Sequence, residues 1–123
     1  MKTIFHIVDE DCWQKAQESG QYEPSSLLDE GFIHFSLASQ LAKTANRFYA
    51  NKGTLRVLQV STEQGDWRWE EAGGEVFPHL YGPLLVHQVQ GTHFIEEDRT
   101  GQYFLPKTVL QYVIRPHKND GNG

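Results

Sequence analysis

Apolar and polar positions alternate in short blocks along this chain, and the period of the alternation switches between about two and about four. TIFHIV, residues 3–8, has the brevity and β-branched content of a buried strand. DCWQKAQESG, residues 11–20, has a helical pattern, with Asp9 or Asp11 as its cap and Gly20 as its stop. SSLLDEG, residues 25–31, reads as a helical turn in which Ser26 and Asp29 have capping-box spacing. GFIHFS, residues 31–36, is the next strand. It runs into LASQLAKTANRFYANKG, where Leu37, Leu41, Ala45 and Phe48 recur at helical spacing and Gly53 closes. TLRVLQVS, residues 54–61, alternates as a strand, and further strands are expected over Leu84–Val89, Thr92–Glu96 and Thr108–Ile114. Helices early and strands mostly late predict an α+β fold rather than a doubly wound parallel sheet.

Composition narrows the class. The 123 residues suit one domain over residues 1–116, followed by a polar tail at 117–123 that is expected to be disordered. A net charge of -5 argues against a duplex nucleic-acid binder, although a local pocket still has room for a small anionic, nucleotide-like ligand. One cysteine, Cys12, allows no internal disulfide, and no apolar run reaches the ~20 residues of a membrane span. These features predict a cytoplasmic protein that does not enter a membrane.

The chemistry concentrates in three places. His6 lies on the Ile4/Val8 face of the first strand, where a histidine is usually a paired core group. His34 shares a face with Phe32 and Ser36, and Ser36 stands where it would cap the following helix, near N–H groups that favour an anion. The third place is GDWRWEEAGGEVFPHLYGPL, residues 65–84. There Trp67 and Trp69 share one face of an extended segment, and Arg68 and Glu70 share the other. Pro78 and Pro83 stiffen the backbone around His79 and Tyr81, as a preorganised site requires. His79 is the candidate general acid or base, because imidazole titrates near neutral pH. A zinc site from His6, His34 and His79 is chemically conceivable but has no signature spacing, so no metal is expected. Trp67 and Trp69 are alternative hot spots for a partner protein.

IFHIV, EGFIHFS, RWE and FPHLYGPL, taken together and in this order, resemble the DUF952 family of small, mainly bacterial proteins, over about residue 3 to Pro106. The resemblance implies an ADP-ribosyltransferase-like fold of split antiparallel sheets with flanking helices, and with it NAD as substrate or cofactor. In transferases of that fold a strand histidine holds a ribose of NAD, a second strand-plus-helix element carries a tyrosine, and a late glutamate stabilises the transition state. His6 looks like the first of these, and GFIHFSLASQLAKTANRFY like the second, with His34 in place of tyrosine. His-Phe-Ser at residues 34–36 also resembles the His-x-Ser of RNA 2'-phosphotransferases, which rely on arginines that Arg47 and Arg68 would supply. The resemblance does not itself assign the late glutamate; Glu70 is the candidate for it, with Glu75 behind it. The expected function is NAD- or nucleotide-dependent glycosyl or phosphate transfer, with catalytic His34, His79 and Glu70, and ligand contacts from His6, Ser36, Tyr81, Arg47 and Arg68. The alternatives are a non-catalytic nucleotide or ADP-ribose binding module and a metal-binding protein.

Overall fold

The structure, a computed structural model, describes residues 2–113; the expected tail at 117–123 lies outside them. In chain order the elements are β1 (Thr3–Ile7), α1 (Glu10–Ser19), β2 (Gln21–Tyr22), α2 (Ser25–Glu30), β3 (Ile33–His34), α3 (Ala38–Phe48) and β4 (Leu55–Ser61). Then follow β5 (Trp67–Ala72), β6 (Glu75–Leu80), β7 (Leu84–Leu85), β8 (Val89–Ile95) and α4 (Lys107–Leu110). Two three-stranded antiparallel sheets, ordered β1-β4-β8 and β3-β6-β5, carry the fold, and β2 pairs with β7 as a small third sheet. The mixed α+β character expected from the pattern is what the chain adopts.

The two larger sheets meet where Phe5 and Ser36 exchange main-chain hydrogen bonds, both 2.8 Å. Around that joint lie two apolar clusters. One gathers Ile4, Trp13, Ile33, Phe35, Leu58 and Leu80, and the other Phe5, Leu41, Val57, Ile95, Tyr103 and Val109. Burial of this apolar surface is the main favourable term in folding.

Local chemistry sets the element ends. Asp9 caps α1 by accepting from the Cys12 N–H at 3.0 Å, and Gly20 ends that helix in the left-handed region. Several expectations need correcting. Pro24, not Ser26, precedes α2, and it contributes no side-chain cap. Leu37 stands at the start of α3, where Gln40 Oε1 accepts from its N–H at 2.9 Å. Ser36 is committed to the inter-sheet joint instead, so it does not cap the helix. The strand expected over Leu84–Val89 stops at Leu85, because Gln88 folds back to accept from the Leu85 N–H and a 3₁₀ turn follows at Val86–Gln88. The strand expected over Thr108–Ile114, whose last residue lies outside the described ones, does not form over residues 108–113: Pro106 opens α4, and the N–H groups of Val109 and Leu110 bond back to its carbonyl.

Candidate functional site

Cross-strand register gathers the functional side chains on one face of the β3-β6-β5 sheet. His34 pairs with His79, and His79 pairs with Arg68, so all three point the same way. Two residues further along each strand, Phe32, Tyr81, Asp66 and Glu70 join the same face. The other face carries Ile33, Leu80, Phe35 and Trp67, which pack into the first apolar cluster.

His79 is the centre. Its side chain is only 7% exposed, and its ring lies flat against Phe32, with centroids 4.2 Å apart and planes at 20°. His79 Nδ1 is 2.6 Å from Glu70 Oε1. A carboxylate oxygen accepts, so Nδ1 carries the proton and donates, and in the neutral ring Nε2 keeps its lone pair. Nε2 has no hydrogen-bond partner among the described residues. Glu70 also accepts from the Tyr81 hydroxyl, at 2.7 Å on Oε1 and 2.9 Å on Oε2. Those two donors hold the Glu70 carboxyl below its usual range, and the same contact pushes the Tyr81 phenol up.

His34 forms a second carboxylate–imidazole pair. Its Nε2 donates to Glu30 Oε1 at 2.5 Å, across the turn that ends α2. The His34 and His79 rings meet edge to face at 5.1 Å. Arg68 lies over the Tyr81 ring, 4.0 Å from its centroid, and makes a two-pronged contact with Asp66 at 3.2 and 3.0 Å.

Of the expected site residues, the fold thus brings His34, His79, Glu70, Tyr81 and Arg68 together. Ser36 is buried in the joint, with its Oγ 3.3 Å from Thr44 Oγ1. Arg47 lies in the last turn of α3 against Phe48, and Glu75 pairs with Lys43 near the β5–β6 turn. His6 sits beneath the site. Its Nδ1 donates to the His34 carbonyl at 2.6 Å, and Nε2 accepts from the Tyr22 hydroxyl at 2.7 Å. Burial lowers its pKa to about 4, so the ring is neutral at physiological pH. Burial also drives the Tyr22 phenol upward, which keeps it a donor. Among the described residues, no three His, Cys, Asp or Glu side chains converge to hold a metal ion.

Phe32, Glu30, Asp66 and Tyr22 are partners that the sequence reading passed over. Alternation in GFIHFS places Phe32 on the face of His34, so its stacking had a sequence signal. Glu30 and Asp66 act across turns, and Tyr22 comes from a two-residue strand, so none of these had one.

The family model described as "Protein of unknown function (DUF952)" matches residues 7–92. The chain belongs to this family. The DUF952 chain is also similar to protein CC0527 from Caulobacter crescentus. The X-ray structure of that protein is 33% identical with a TM-score of 0.80, and the match covers 89% of this chain and 99% of CC0527. A solution NMR structure of CC0527 is 34% identical with a TM-score of 0.72, over 83% and 91% of the two chains. No curated protein matches the DUF952 chain. Among its described residues no helix is long and apolar enough to cross a membrane.

Proposed function

We propose that this chain is an acid–base enzyme of ADP-ribosyltransferase-like architecture, acting on NAD or a related nucleotide in the cytoplasm, with His79 as the proton-transfer group. One observation carries the reading: His79 is oriented by Glu70 through Nδ1, and its Nε2 lone pair has no partner among the described residues. A carboxylate that holds an imidazole in one tautomer and stabilises its protonated form is a recurrent way to prepare a general base.

Two further features support the nucleotide. The ring faces of Phe32 and Tyr81 suit a planar base, and Arg68 supplies a guanidinium on the same face. A phosphate would have to share Arg68 with Asp66, which favours a ligand that brings its own ring contacts. Two three-stranded antiparallel sheets joined at one point agree with the split-sheet architecture.

NAD would supply an N-glycosidic bond whose cleavage releases neutral nicotinamide. His79 Nε2 would take the proton of the attacking hydroxyl. Glu70 would stabilise the resulting imidazolium rather than touch the ribose, because both of its oxygens already accept from His79 and Tyr81. His34 would bind the ligand beside His79, and His6 would hold the His34 backbone in place.

The test is nicotinamide release from NAD, alongside an amide-shift titration with NAD and ADP-ribose. The expected result is turnover that His79→Gln lowers by about 10²–10⁴-fold, with shifts at residues 32–34 and 77–82 preserved. Shifts without turnover would instead assign the chain to non-catalytic nucleotide binding. A flat spectrum at millimolar ligand would remove the NAD reading altogether.

A further inference from the structure

The β5 strand ends the β3-β6-β5 sheet, and its main-chain pattern shows which groups are left over. Tyr81 N–H donates to the Asp66 carbonyl at 2.9 Å, so residues 66 and 81 form a hydrogen-bonded pair of the antiparallel ladder. By the two-residue period of that ladder, Arg68 and Glu70 also turn their main-chain groups toward β6. Trp67, Trp69 and Glu71 therefore turn theirs outward. The far edge of β6 is covered, by β3 and then by α3, whose Gln40 Nε2 donates to the Val76 carbonyl at 2.8 Å. The outer edge of β5 has no such cover among the described residues, and it carries no proline, lysine or bulge to discourage pairing.

We propose that β5 pairs with β5 of a second copy of this chain, antiparallel and centred on Trp69. The register follows from the side chains. Centring on Trp69 places Trp69 against its symmetry mate and Trp67 against Glu71 of the second copy, the three positions whose main-chain groups are free. It also places Arg68 against Glu70 of the second copy, and Glu70 against its Arg68, so both charge contacts are complementary by symmetry. Shifting the centre by one residue, to Glu70, would put Glu70 against its own copy. Trp69, 42% exposed, and Val76, 49% exposed, lie on one face beside this edge and supply apolar area to cover.

The pairing joins the two β3-β6-β5 sheets into one six-stranded sheet and sets Arg68 of the second copy beside Glu70, at the rim of the His79 site. It stands independently of the chemistry proposed for His79, since the experiment reads assembly rather than turnover.

Sedimentation equilibrium of the full chain at submillimolar concentration tests it. The wild type is expected to be a dimer. Trp69→Pro deletes one outward N–H per copy and leaves the β5–β6 ladder intact, so it is expected to be a folded monomer. Arg68→Glu and Glu70→Arg each create like-charge contacts and are expected to weaken self-association by about tenfold or more. Mixing those two variants restores both opposite-charge pairs and is expected to regenerate a dimer, as a heterodimer. A monomeric wild type overturns the proposal. So does a dimer that survives Trp69→Pro with a native amide spectrum, or a mixture that associates no better than either variant alone.

Discussion

His6 shows how hydrogen-bond geometry decides a titration. Its Nδ1 faces a carbonyl, which only accepts, so the proton must sit there and Nε2 must accept from Tyr22. Protonating the buried ring would strip Tyr22 of its acceptor and charge an apolar site, which is why burial lowers the pKa from 6.5 to about 4. The unfolded chain then binds the proton more readily than the folded one. Stability from His6 is complete above pH 6.5, declines as the pH falls toward about 4, and changes no further below it. Across that window the loss amounts to about 3 kcal/mol. In His6→Leu the loss at neutral pH is about 1–3 kcal/mol, because the His34 carbonyl and Tyr22 hydroxyl lose their partner. Its stability should then fall less steeply between pH 6.5 and 4 than that of the wild type. Urea unfolding at a series of pH values measures both effects, and parallel curves for the two proteins would contradict this assignment.

Among the elements, the strand candidates with clear alternation were the legible ones. β4 was readable from TLRVLQVS, and β5 from DWRWE, including the split that puts Arg68 and Glu70 on the face opposite Trp67 and Trp69. The register Arg68–His79–His34 was not readable, because no local pattern reveals which strands lie side by side. The segment after Pro106 failed for a different reason. Its β-branched residues favour a strand, but Val109 and Tyr112 are three apart and both meet the second cluster, so packing selects a helical turn. The turn into β5 shows another contact invisible in sequence. Gly65 has a φ of 118°, and a Cβ there would stand 2.9 Å from Leu80 Cδ1 and 3.0 Å from Trp67 Nε1. Gly65→Ala is therefore expected to destabilise the chain by about 1–3 kcal/mol, through backbone strain and overpacking together. A thermal midpoint equal to that of the wild type would mean the turn relaxes freely.

At the scale of the whole molecule, the joint between the sheets matters more than either sheet alone. The Phe5–Ser36 pair and the His6–His34 bond connect β1, with its packed neighbours, to the strand that carries the His34 side of the site. Ser36 separates a structural from a ligand-binding role. In Ser36→Ala both main-chain bonds persist and only a 3.3 Å contact to Thr44 is lost, so stability should change by no more than about 1 kcal/mol. If Ser36 serves the joint and not the ligand, this variant also retains the wild-type response to NAD. In Ser36→Pro the N–H that donates to the Phe5 carbonyl is gone, at a residue only 5% exposed. That variant should lose about 3 kcal/mol or more, a large fraction of what a domain of this size holds in reserve. Because the joint is shared, both sheets should fail together. Tryptophan fluorescence, reporting Trp67 and Trp69 on β5 and Trp13 on α1, should follow the same urea transition as far-UV circular dichroism. Separate transitions in Ser36→Pro would mean that the two sheets hold their structure independently and that the joint only places them.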